Sequence, residues 1–245
     1  ALIYAAMWHR VVSADVSLPA GTVLLDCRPA DGVVGFPSVV PDDREGGAAA
    51  TRELVAAGHT RIAYIDTAED ATRPLAADLR LQGYRAVLAE AGIAIDERLH
   101  VHGETSHRGG REAADRLLDL PEHHRPTAIF CFNDRMATGA YTAIHARALQ
   151  IPGDISIIGY DDQQFIAAEQ DPPLTTIALP HYEMGRWAME VALGIREGGV
   201  DAVHQMECPV IRRDSVGPPP AHVAKQNRRR TSQPPERSLS APPDR

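Results

Sequence analysis

The chain has 245 residues, of which 44% are hydrophobic and 24% charged. That is long enough for more than one hydrophobic core, and it excludes a disulfide-stapled miniprotein. The formal net charge of −8 hides an asymmetry: residues 217–245 hold six basic and two acidic side chains, a local +4, while residues 1–216 carry −12.

Taken in chain order, short apolar and β-branched runs predict strands over 2–4, 22–26, 38–40, 61–66, 99–102, 127–132, 155–160, 174–178 and 203–211. Amphipathic stretches separate many of them. A helix beginning after Asp43 ends at Gly58, and another, beginning near Pro74, ends at Ala91-Gly92, each glycine being suited to a left-handed helix terminus. Gly110, Ala113, Ala114, Leu117 and Leu118 repeat at helical spacing, as do Met184, Trp187, Ala188, Val191, Ala192 and Ile195. Strands alternating with helices predict an α/β fold with parallel sheets, and the run from Asp43 to Tyr160 suffices for one complete doubly wound unit. Residues 1–40 and 181–207 read as parts of a second layer.

The remaining segments bear on class and location. No run approaches the roughly 18 apolar residues of a membrane-spanning helix. Cys27, Cys131 and Cys208 lie far apart within or beside apolar runs, which suits buried reduced thiols. Residues 1–10 lack the basic start and apolar stretch of a signal peptide. A soluble cytoplasmic protein is expected, and the absence of an initial Met fits a piece of something longer. Residues 217–245 contain seven of the 19 prolines and the run Arg228, Arg229, Arg230; they read as a disordered, solvated tail. The acidic body argues against nucleic-acid contact, because nucleic-acid-binding surfaces are as a rule basic.

In open parallel sheets, ligands bind beyond the carboxyl ends of the strands. Here Asp26, Asp66, Asn133-Asp134 and Asp161-Asp162 close strands, and Arg80 lies in the helix after Asp66. Carboxylates, an amide and a guanidinium converging without a metal cluster suit a polyhydroxylated small molecule, since each planar group can engage two neighbouring hydroxyls. Asp134 and Asp162 read as helix caps, whereas Asn133, Asp161 and Arg80 read as ligand contacts. The eleven histidines show no ligand spacing and read as solvated loop residues. No nucleophile elbow, Walker loop or dinucleotide-binding glycine motif is present, so neither an enzyme nor a resident cofactor or metal is expected.

Several segments together resemble the LacI/GalR family of bacterial transcription regulators. They are Pro-Ser-Val-Val-Pro-Asp-Asp at 37–43, Gly-His-Thr-Arg-Ile-Ala-Tyr-Ile at 58–65, and Ile-Pro-Gly-Asp-Ile-Ser-Ile-Ile-Gly-Tyr-Asp-Asp at 151–162. The stretches at 80–93, 125–141, 172–177 and 181–185 continue the likeness, which covers most of residues 1–216. The resemblance implies a periplasmic-binding-protein-like fold: two doubly wound parallel-sheet subdomains around a cleft, with crossovers near Val40-Pro41, Ala178–Pro180 and Glu207-Cys208. Residues 1–40 and 181–207 would form an incomplete N-terminal subdomain, and 41–180 with 208–216 the C-terminal one.

Carried over residue by residue, the family's sugar-contacting arginine matches Arg80, its Asn-Asp pair matches Asn133-Asp134, its aspartate after the Gly-aromatic pair matches Asp161, and a cleft aspartate matches Asp26. Thr105, with His107 nearby, stands where relatives often place a stacking aromatic, which leaves Trp8 or Phe165 for that role. The implied function is binding of an effector, expected to be a sugar, and dimerisation in a repressor whose operator DNA is held by a helix-turn-helix headpiece that these residues do not include. A sugar-binding protein of a transport system shares the fold and is the alternative. Replacing Arg80 or Asp161 with Ala should abolish effector binding and leave the folded fraction unchanged.

Overall fold

A computed structural model describes residues 1–13, 16–69, 73–199 and 202–221. In chain order its elements are β1 (Leu2–Val12), β2 (Thr22–Pro29), β3 (Ser38–Pro41), α1 (Asp43–Ala56), β4 (Ile62–Thr67), α2 (Leu75–Glu90), β5 (His100–Gly103), α3 (His107–Leu118), β6 (Ala128–Cys131), α4 (Asp134–His145), β7 (Ser156–Asp161), β8 (Thr175–Ala178), α5 (His181–Ala192), β9 (Val203–Met206) and β10 (Val210–Ile211). Two sheets result. One runs β1-β2-β3-β9, all parallel; the other runs β10-β8-β7-β6-β4-β5, parallel except for β10 against β8.

The second sheet is the better buried. Every residue of β4 and β6 is buried, as a strand covered on both faces requires, and this is why these strands read as unbroken apolar runs. Tyr160 of β7 faces α1, where Gly46 leaves room for its ring, and its neighbour Gly159 faces Asp134 at the start of α4. The helices on the two faces pair backbone to backbone. A Cβ on Gly47 would run into the Arg80 main chain and one on Gly83 into that of Arg44; Gly110 and Gly139 play the same part between α3 and α4. Gly58 and Gly92 end α1 and α2 in left-handed conformations, with φ of 99° and 66°. His59 N donates to Leu54 O at 3.1 Å and Ile93 N to Leu88 O at 2.8 Å, closing both helices as anticipated.

The first sheet packs on α5 through Val23, Val39, Met184, Trp187 and Ala188. A second small cluster of Val12, Leu24 and Cys27 includes Tyr4 and Phe36 at its margin. The chain changes sheet after β3, after β8 and after β9. All three cysteines are free and buried.

Four details depart from expectation. β1 continues eight residues beyond 2–4, through a stretch whose apolar pattern is irregular. The single strand expected over 203–211 is two strands in different sheets: Pro209 has no N–H to give, and its carbonyl accepts from Ala178 N at 2.8 Å, drawing the chain across to β8. Helix α5 stops at Ala192, and Ile195 beyond it is exposed. The segment after Val216 is held at its start, because Gly217 N donates to Ser156 Oγ at 3.0 Å and its carbonyl accepts from the buried His59 Nε2 at 2.9 Å. Residues 222–245, including Arg228–Arg230, lie outside the described residues.

Candidate ligand-binding cleft

A cavity of about 330 Å³ opens between the carboxyl ends of the two sheets. Arg80, Asn133 and Asp161 line it from the second sheet's side, and Asp26 and Trp8 from the first. Phe165 is 87% exposed and is not in the cavity wall; a left-handed φ of 62° turns it outward in the loop after β7. Trp8 is the aromatic that remains. Thr105 also reaches the wall, whereas His107 bonds Thr142 Oγ1 outside it.

Arg80 organises the second-sheet side. Its Nε donates to Asp43 Oδ1 at 2.8 Å and its Nη1 to Phe132 O at 2.7 Å, with Asp161 Oδ1 3.8 Å from Nη1. The guanidinium lies 3.5 Å from the Tyr160 ring centroid and 4.6 Å from that of Phe132. Burial opposes its charge, but Asp43, Tyr160 and Asp161 outweigh that and hold it protonated more firmly than an ordinary arginine. Burial would likewise raise the Asp43 carboxyl, yet Arg80 and His9 keep it below its usual value. Removing Arg80 would therefore leave a buried carboxylate uncompensated, and the expectation that Arg80→Ala leaves folding untouched does not stand.

Two of the strand-end carboxyls, Asp26 and Asp161, combine an unusual backbone with a raised pKa. Asp26, with φ of 56°, and Asp161, with φ of 108°, occupy backbone conformations uncommon outside glycine. Burial pushes Asp26 up to about 7, with Asp43 adding to the effect, and pushes Asp161 up to about 6 against the pull of Arg80. Gln163 Nε2 donates to Asp161 Oδ2 at 2.9 Å.

Two expected roles are exchanged. Asn133 is the cap of α4, its Oδ1 accepting from Met136 N at 2.8 Å, so its amide nitrogen is what remains for the cavity. Asp134 caps nothing; it accepts from Thr176 Oγ1 at 2.6 Å and from Gln163 N at 2.8 Å. Asp162 accepts from Arg213 Nη2 at 2.7 Å and is not a cap either.

Sequence reasoning missed Asp43, His9 and Gln163, and it placed all histidines in solvated loops. His9 is buried, and its Nδ1 donates to Asp43 Oδ2 at 2.9 Å. The signal available was proximity of Asp43 to a strand end; nothing in the pattern marked His9. Asp66, His100 and His102 bring three potential metal-ligating atoms within 4.8 Å of one another. The Asp66 oxygen concerned already accepts from His100 Nε2 and from Arg73 Nη2, at 3.0 and 2.8 Å, so a guanidinium supplies the cation there.

Two parallel sheets with polar strand ends facing a shared cavity define the periplasmic-binding-protein-like class, and residues 51–216 match the family model described as a periplasmic binding protein-like domain. The chain belongs to the LacI/GalR family. It is 42% identical over 172 residues to the ribose operon repressor of Escherichia coli (strain K12), a match covering 70% of this chain and 50% of the repressor. A sugar-binding transcriptional regulator of the LacI family from Escherichia coli, solved with phosphate, superposes with a TM-score of 0.70 at 30% identity, over 81% of this chain and 69% of that one. A LacI-family regulator from Enterococcus faecium with bound ribose gives 0.69 at 28% identity, over 80% and 71%. The chain spans about half the length of the curated relatives it matches.

Proposed function

We propose that this chain is the effector-binding part of a LacI-type transcription regulator, and that a neutral sugar occupies the cavity between its two lobes. The observation that carries this reading is the convergence of Arg80, Asn133, Asp161 and Asp26, from the sides of two separate sheets, on one cavity large enough for a monosaccharide. Residues 1–40 with 181–207 form one lobe and 41–180 with 208–216 the other. A ligand touching both favours the closed arrangement through differential affinity, which is how occupancy is passed to the rest of the regulator. Trp8 supplies an apolar ring face to the sugar.

The relatives are regulators, which weighs against the transport alternative and supports a role without catalysis. Among the described residues no helix is long and apolar enough to cross a membrane; a cytoplasmic homodimer, acting on operator DNA within the whole protein, completes the proposal. Sedimentation of the chain tests the dimer, a monomer at micromolar concentration contradicting it. For the cleft, thermal shift with neutral monosaccharides is decisive, since a ligand bound to the folded state stabilises it by RT ln(1 + [L]/Kd). Stabilisation that disappears in Asp161→Ala is the expected result, and stabilisation undiminished by that change would place the site elsewhere.

A further inference from the structure

Among the described residues, two buried side-chain atoms without a hydrogen-bond partner belong to the cavity wall: His9 Nε2 and Asp26 Oδ1. Both come from the first sheet, on β1 and β2, and the two residues are only 3% and 7% exposed. A buried polar atom left unpaired costs about 1–3 kcal/mol, so such atoms facing a cavity mark places where a ligand completes the bonding.

Their chemistry complements the opposite wall. Arg80 spends Nε and Nη1 on Asp43 and Phe132, and Asn133 spends its oxygen on the α4 cap; what remains on the second-sheet side is donors, Arg80 Nη2 and Asn133 Nδ2. His9 Nδ1 gives its hydrogen to Asp43. An imidazole whose single hydrogen sits on Nδ1 leaves Nε2 an acceptor. The first-sheet side therefore offers that acceptor beside the unpaired Asp26 Oδ1.

Resting on the sugar-binding reading above, we propose that His9 Nε2 and Asp26 form a subsite that accepts hydrogen bonds from hydroxyls of a neutral polyhydroxylated ligand, and that His9 is a specificity-determining residue. A hydroxyl both donates and accepts, so it can bridge donor wall to acceptor wall. A phosphate dianion has no hydrogen to give to His9 Nε2. Because His9 also bonds Asp43, the same imidazole ties the first lobe to the pair that holds Arg80.

The test uses the 245-residue chain, calorimetry with D-ribose and D-galactose, and two substitutions that divide the imidazole. In His9→Asn the amide nitrogen stands where Nδ1 was, keeping the bond to Asp43 and withdrawing Nε2; in His9→Gln the amide reaches the Nε2 position and the Asp43 bond is lost. His9→Asn is expected to weaken binding of whichever sugar the wild type holds by about tenfold at an unchanged thermal midpoint. His9→Gln is expected to retain more affinity at a lower midpoint. If the imidazole is only a strut, His9→Asn keeps the wild-type affinity and His9→Gln loses it; sugar affinity unaltered in His9→Asn thus overturns the subsite while leaving the cleft in place. If neither sugar binds the wild type, the sugar reading fails and the subsite falls with it. Ribose 5-phosphate binding more tightly than ribose overturns the neutral class.

Discussion

The buried pair Arg80–Asp43 ties stability to the proposed ligand contact. Breaking a buried ion pair from one side costs about 3–5 kcal/mol, because the other charge stays behind; Arg80→Ala should show a loss of that order in chemical denaturation, and Asp43→Asn added to it should recover part. Asp161 makes only a 3.8 Å approach to Arg80, so Asp161→Ala is expected to keep a nearly native unfolding midpoint and is the cleaner probe of the cleft. Asp26 gives the ligand-free protein a pH dependence. Its carboxyl holds a proton up to about pH 7 when folded and releases it near pH 4 when unfolded. The folded state thus binds the extra proton across that interval, and stability falls as pH rises through it. Asp134, also raised to about 7, and Asp161, to about 6, push the same way, while Asp43 and Asp66, both lowered, lose their contribution only in stronger acid. His59 and His181, both lowered by burial, push the other way below about pH 6.5, so between about pH 5 and pH 8 the wild-type thermal midpoint should decline with pH relative to that of Asp26→Asn; two parallel profiles contradict the assignment.

At the level of elements, Arg80 is positioned by helix crossing. Gly47 and Gly83 let α1 and α2 touch through their main chains, and the atoms a Cβ would strike are backbone, which cannot swing aside. Gly47→Ala is expected to destabilise by about 1–3 kcal/mol and to weaken ligand binding, because the main chain displaced is that of Arg80 itself. Gly153→Ala, whose Cβ would meet only Gln150 Cβ at 3.4 Å, is the comparison expected to change little in denaturation. The alternation from α1 to β7 was legible because covered strands read as apolar runs and glycines punctuate the helices. The cleft was half legible, for the carboxylates at strand ends stand out in an apolar context. The rest was hidden for local reasons. Ala5–Val12 of β1 mixes small, aromatic and charged residues without alternation, so His9 looked like loop, and whether Asn133 or Asp134 caps α4 depends on which oxygen Thr176, 42 residues away, reaches first.

For the molecule as a whole, charge and core are unevenly shared. The net −12 of residues 1–216 makes this body a poor partner for a phosphate backbone, and a gel-shift assay with the 245-residue chain should show no sequence-specific retardation. The larger asymmetry is in packing. Among the described residues, one extended cluster from Ala50 to Cys208 packs the second sheet, whereas the first sheet rests on two small clusters and α5. Local opening draws on the weakest-packed elements, so amides of β1 and β2 should exchange hydrogen with solvent through inexpensive openings, and those of β4, β6 and β7 only through global unfolding. The wall that carries His9 and Asp26 is thus the wall that breathes, and an effector seated against it would be read out as slowed exchange in two strands whose own lobe gives them little protection.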